Sequence, residues 1–153
     1  MRGARWFEID TEERLWIIPA DRMKSEREHR VPLSDEALAV LEQVRELAPD
    51  FVFPGQKRGR TMPDTTLLKV SKRMGREGIT IHGFRSSFAD WASERGGMPR
   101  EIAEVSLAHE VGNATERAYR RSDLLGKRRT LMERWARFCC PASADVIEIG
   151  GRA

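Results

Sequence analysis

"RWFEIDTEERLWIIPADRMKSEREHRVPLS", residues 5–34, decides the fold class. Its aromatic and β-branched residues fall in three short runs, a pattern that favours strands. The first run is residues 5–10 and the second is residues 14–20, with the polar tetrad 10–13 as the turn between them. Pro19 marks the end of the second. The third run, "HRVPLS", contains Pro32, which lacks a ladder donor and therefore predicts an edge strand. Residues 21–28 become the loop between strands two and three. A small three-stranded antiparallel sheet is expected.

The rest of the chain reads as helices. "SDEALAVLEQVRELAPD" (34–50) begins with Ser34 as a cap and places Asp35 and Glu36 at the positive end of the dipole. Leu38, Leu41, Val44 and Ala48 share one face. "DTTLLKVSKRMGREG" (64–78) predicts a second helix, capped by Asp64 and ended by Gly75 or Gly78. "ITIHGFRSSFADWASERGG" (79–97) gives a brief β-like run and then a third helix, whose stripe Phe84, Phe88 and Trp91 is expected in the core. "MPREIAEVSLAH" (98–109) predicts a fourth, with Pro99 in its first turn. A short fifth helix is expected in "NATERAYRRS", where Asn113 and Glu116 have capping-box spacing. A sixth, "DLLGKRRTLMERWARFCC" (123–140), has Leu124, Leu131, Trp135 and Phe138 as its buried face. The expected architecture is one mostly helical α+β domain, with a loose tail whose "VIEI" run is the only strand-like part.

The 153 residues suit a single core. No apolar run approaches the roughly 18 residues of a membrane span, and the first residues lack the apolar segment of a secretory signal. A cytoplasmic location is the expectation. The adjacent Cys139 and Cys140 read as reduced thiols without a zinc set. The net charge of +3 conceals a strong asymmetry. Residues 33–50 hold five acidic and one basic residue, whereas residues 54–76 hold seven basic and one acidic. Residues 117–137 hold eight basic and two acidic. Two basic segments of this kind suit either a polyanion partner or solvated helix faces.

Five residues carry candidate chemistry. His82 and Arg85, three apart at a helix start, can aim at one oxyanion beside free backbone N–H groups. His109 follows an apolar lead at a helix end. Lys24 lies in the loop between strands two and three, where a lysine is either solvated or a finger reaching towards a phosphate. Tyr119, the only tyrosine, is flanked by Arg117, Arg120 and Arg121. A phenol of ordinary acidity, with a pKa of about 10, is a poor nucleophile unless neighbouring charge or a base assists it. Spacing leaves open whether it is a nucleophile or an amphipathic surface residue.

In chain order, "RMKSEREHRVPLS", "IHGFRSSFADWA", "SLAHEVGNATERAYRRSD" and "KRRTLMERWARF" resemble the catalytic domain of the tyrosine recombinases, in particular phage and prophage integrases of the P4 type. The resemblance runs from about Arg2 to Phe138. It implies a catalytic domain over residues 1–138 and a tail over 139–153. It also implies that Tyr119 attacks a DNA phosphodiester to form a 3′-phosphotyrosyl link. Arg85, His82 and His109 match residues that contact the scissile phosphate, and Lys24 matches the hairpin lysine that protonates the leaving 5′ oxygen. Neither metal nor ATP is implied: cationic side chains neutralise charge, and the protein–DNA ester conserves the bond energy. The implied partners are double-stranded DNA at attachment sites and, on DNA, further integrase protomers. Lys57, Arg58, Arg60, Lys69, Lys72, Arg73, Arg120 and Arg121 are the candidate DNA-binding residues.

The family has a further catalytic arginine, in a segment that matches the residues just ahead of "MRGARW". Arg2 and Arg5 align after it. The expectation is a fragment of a site-specific recombinase that cleaves poorly or not at all alone; the alternative is a non-catalytic DNA-binding remnant. The wording around "AHEVGNATERAYRRSD" argues against a type IB topoisomerase.

Overall fold

The computed structural model describes residues 3–57, 59–76, 78–109 and 123–141. Its sheet has three antiparallel strands in sequential order: β1 (Ile9–Asp10), β2 (Leu15–Ile18) and β3 (His29–Pro32). Trp16 pairs with Ile9 on one side and Val31 on the other, which fixes the register. β3 is an edge strand, as Pro32 requires. The first strand is much shorter than residues 5–10. Trp6–Glu8 form a 3-10 turn instead. The Glu8 carboxylate accepts from the Arg5 backbone N–H at 3.3 Å, and the Glu8 N–H donates to the Arg5 carbonyl at 3.1 Å. That local pairing competes with a ladder.

Five α-helices follow among the described residues: α1 (Asp35–Gln43), α2 (Thr66–Arg73), α3 (Ile81–Glu94), α4 (Arg100–Ser106) and α5 (Leu125–Cys139). Ser34 caps α1 by accepting from Ala37 N–H at 3.2 Å. Leu38, Leu41, Val44 and Ala48 are half-buried, as the periodicity predicted. The helix stops at Gln43 rather than running to residue 50. Val44, Arg45 and Leu47 donate to carbonyls three residues back, and Pro49 has no N–H to extend the α pattern. α2 starts at Thr66 with Thr65, not Asp64, in the cap position, and Gly75 follows its end at φ 68°. Residues 79–80 form no strand; Thr80 is the N-cap of α3 and accepts from Gly83 N–H at 2.9 Å. The predicted fifth helix and the "VIEI" run lie outside the described residues.

The core forms where α3, α4 and α5 meet. Phe88, Trp91, Ala92, Ile102, Ala103 and Leu131 are buried together, with Met98, Leu107 and Trp135 packed around them. Phe88 meets Trp135 edge-on at 5.4 Å, and Trp91 lies 5.0 Å from Trp135. Two sequence expectations fail here. Phe84 is 61% exposed; it sits one turn ahead of Phe88, and among the described residues nothing in the core covers it. Phe138 is 50% exposed, although its ring still stacks on Trp135 at 5.6 Å. Cys139 and Cys140 are exposed free thiols at the end of α5. No described helix is long and apolar enough to cross a membrane.

Leu131, with no exposed surface, and Phe84 make a matched test of this core. Leu131→Ala is expected to cost about 2–5 kcal/mol and Phe84→Ser less than about 0.5 kcal/mol, both read from denaturant unfolding. A larger loss at Phe84 would contradict the packing described.

Candidate active site and basic groove

The end of α4 gathers the first candidates. Leu107 caps the helix, and Ala108 turns into the left-handed region at φ 56°. The turn folds His109 back onto its own helix. His109 N–H donates to the Glu104 carbonyl at 2.9 Å, and its ring Nδ1 pairs with the Glu104 carboxylate. Arg100 donates to the same carboxylate at 3.1 Å. Hydrogen bonds from His109 and Arg100 hold the Glu104 carboxyl below its ordinary value of 4.5.

Arg85 reaches the same place from α3. Its guanidinium donates to the Leu107 carbonyl, two residues before His109. Gly83 lies between His82 and Arg85, and a Cβ there would come within 3.3 Å of the capping Thr80 hydroxyl. The tight cap sets the first turn from which His82 and Arg85 project. Both are exposed, as are His109 and Lys24. Lys24 lies in the β2–β3 loop, and no hydrogen bond or ion pair among the described residues ties it to His82, Arg85 or His109. Tyr119, Arg120, Arg121 and Arg58 lie outside the described residues.

β3 and the start of α5 supply charges that the sequence reading did not single out. Asp123 Oδ2 accepts from Arg30 Nε at 3.0 Å and from Arg30 Nη2 at 2.7 Å. The buried Arg128 donates to the Arg30 carbonyl, and its Nη2 lies 3.4 Å from His29 Nε2. His29 titrates below its ordinary 6.5: burial disfavours its charged form, and the Arg128 and Arg85 charges add to that against the opposing pull of Ser106 and Asp123. Glu104 also escaped the sequence reading. A spacing of five is not a helical side-chain pair, and only the left-handed Ala108 brings its carboxylate to His109.

The basic candidates split between a loop and a helix, and only those of the helix, Lys69, Lys72 and Arg73, line a groove. Gly55 N–H donates to the Arg60 carbonyl at 2.7 Å, and Arg60 N–H donates to the Lys57 carbonyl at 3.1 Å. Only glycine fits at position 55, where a Cβ would lie 2.5 Å from the Thr61 carbonyl oxygen. This closed loop and α2 line a cavity of about 570 Å³ that includes Gln56, Thr65, Thr66, Lys69, Lys72 and Arg73. Three cations on one open wall suit phosphate oxygens.

A model of the phage integrase family matches residues 1–124. The chain belongs to that family. It is 44% identical over 148 residues to the prophage integrase IntA of Escherichia coli K12, covering 94% of this chain and 36% of that protein. It is 34% identical over 141 residues to the integrase of Shigella phage Sf6, covering 89% of this chain and 36% of the relative. Against the integrase of enterobacteria phage P4 the identity is 32% over 157 residues, covering 90% and 36%. The chain therefore spans about 36% of the length of these relatives. No solved structure matches it significantly. The α+β architecture with its three-stranded sheet is consistent with a tyrosine recombinase catalytic domain.

His29 yields a pH prediction. Its folded-state pKa is depressed, so the unfolded chain takes up the proton first as pH falls. Its stabilising contribution is present above 6.5 and is lost as pH drops below that value. Thermal midpoints measured from about pH 8 to pH 5 should decline below that point, and His29→Gln should flatten the decline. Parallel curves for the two proteins would show that His29 does not titrate this way.

Proposed function

We propose that the protein is the catalytic part of a site-specific DNA recombinase that breaks and rejoins strands through Tyr119. The observation that carries this reading is the convergence of Arg85 and His109 at the end of α4, in a chain that belongs to the phage integrase family. Arg85 from α3 and His109 from the turn after α4 are both held at the same helix end, where the guanidinium charge suits a phosphate.

In the proposed reaction the Tyr119 hydroxyl passes its proton to a neighbouring histidine as its oxygen attacks phosphorus, and the bond from phosphorus to the 5′ oxygen breaks. A 3′-phosphotyrosyl ester forms, and Lys24 gives the departing 5′ oxygen its proton. Arg85, His82 and His109 neutralise the non-bridging oxygens and assist proton transfer. Positioning and charge stabilisation are the main catalytic devices in phosphoryl transfer. Attack by a 5′ hydroxyl on the ester reverses the step and joins the strands without an external energy source. The substrate is double-stranded DNA at attachment sites, with other protomers engaged on the same DNA. Lys57, Arg58, Arg60, Lys69, Lys72, Arg73, Arg120 and Arg121 bind its backbone.

Two measurements test this. On a nicked suicide duplex, any covalent adduct should vanish in Tyr119→Phe; an adduct that persists would remove Tyr119 as the nucleophile. DNA affinity should fall log-linearly with salt, and replacing Lys69, Lys72 and Arg73 together with Gln should reduce the slope by about 2–3, at ~0.9 per phosphate contact. An unchanged slope would take the groove out of the DNA-binding surface.

A further inference from the structure

Glu8 is a buried carboxylate with every partner accounted for and no place in the reaction above. Its side chain is 1% exposed. Oε2 accepts from Trp16 Nε1 at 2.9 Å and from Arg5 N–H at 3.3 Å. Oε1 accepts from the Arg22 guanidinium. Burial alone raises such a carboxyl, yet the bonds from Trp16, Arg22 and Arg5 and the Arg22 charge bring it below its ordinary 4.5. The group is an anion fixed by three donors, of which Arg22 is the one that belongs to the β2–β3 loop.

Arg22 ends the short 3-10 turn Ala20–Arg22, two residues before Lys24. The loop from Pro19 to Glu28 is built from successive turns: Arg22 N–H to Pro19 carbonyl, Met23 to Ala20 and Glu26 to Met23, at 3.1, 3.0 and 3.0 Å. All three bonds are internal to the loop. Among the described residues, the Arg22–Glu8 pair is the only side-chain hydrogen bond that ties this loop to the rest of the molecule. The room for it is specific as well. A Cβ on Gly3 would meet Arg22 Nη2 at 3.2 Å, so the glycine leaves space for the guanidinium.

We propose that Glu8 is a positioning residue for Lys24: its buried carboxylate anchors Arg22 and so holds the Lys24 loop in place beside the sheet. Two residues of chain span about 7 Å at most, so fixing Arg22 confines the Lys24 backbone to that radius. A free loop would leave a flexible lysine to search for the leaving oxygen in each turnover, at an entropic cost that preorganisation removes. The catalytic part of this inference rests on the proposed role of Lys24 as proton donor; the anchoring part does not.

The test uses the whole chain as wild type, Glu8→Gln, Arg22→Ala and Lys24→Ala. Arg22→Ala leaves the buried carboxylate intact and covers the case in which Glu8→Gln folds poorly. Hydrogen exchange is followed at residues 20–28 and in α5. Glu8→Gln and Arg22→Ala should accelerate exchange at 20–28 by about tenfold or more, as expected for loss of a charge-assisted hydrogen bond, with α5 unchanged and Lys24→Ala like wild type. Unchanged exchange at 20–28, or equal acceleration in α5, would overturn the anchor. This comparison needs no cleavage and decides the anchor by itself.

The catalytic link is read from adduct formation on two nicked duplexes, one with the ordinary 5′ oxygen and one with sulfur in that bridging position. A thiolate leaves without a proton, so slowing by Glu8→Gln and Lys24→Ala should appear on the oxygen ester and largely disappear on the sulfur ester. Equal slowing on both by Glu8→Gln, with Lys24→Ala still rescued, would overturn the positioning role alone. Equal slowing on both by Lys24→Ala would overturn the Lys24 assignment and leave the anchor standing.

Discussion

Arg128 is the joint on which the two halves of the structure depend. It lies on α5 with 1% of its surface exposed, yet its guanidinium reaches the sheet. One end donates to the Arg30 carbonyl of β3, and the other donates to the Asp123 carbonyl at 3.4 Å. Its Nε has no hydrogen-bond partner among the described residues. Burying a cation this way is tolerable only while its partners remain in place, and removing one partner of a buried pair typically costs about 3–5 kcal/mol. The same contacts set the separation of β3 from the start of α5. They therefore relate the sheet, which carries the Lys24 loop, to the helical layer that carries Arg85 and His109.

A second set of ties repeats this logic at the other end of the sheet. Arg14, turned into the left-handed region at φ 56°, bonds Asp35 at the start of α1 and Glu133 on α5, the latter at 3.4 Å. Arg129 donates to the Glu13 carbonyl at 2.9 Å. Sheet and helices are thus joined by arginines as well as by apolar contact. The apolar core belongs mainly to α3, α4 and α5, where four aromatic rings interlock. Arg85 leaves from α3 and His109 follows the turn at the end of α4, whereas Lys24 sits on the β2–β3 loop, which one side-chain hydrogen bond ties to Glu8 among the described residues. Some of the positive charge among the described residues is therefore structural. Arg14, Arg30 and Arg128 hold the fold, while the α2 groove presents Lys69, Lys72 and Arg73 to solvent.

Amino-acid order determined a good deal by itself. Three β-rich runs with Pro19 and Pro32 placed the sheet and its edge, because those signals are local and proline acts on its own residue. Helical spacing found the half-buried face of α1 and the core positions Phe88, Trp91 and Leu131. The four ordered motifs identified the family. What only tertiary structure decided is where charges meet. The bonds from Glu104 to His109, Arg85 to Leu107, Arg22 to Glu8 and Arg128 to Arg30 depend on left-handed turns, helix crossings and strand pairing. Exposure followed the same rule: Phe84 and Phe88 share a helical stripe, but α5 covers just the second. Periodicity shows which face of a helix is apolar, and only the packed neighbours determine how far along that face the core extends.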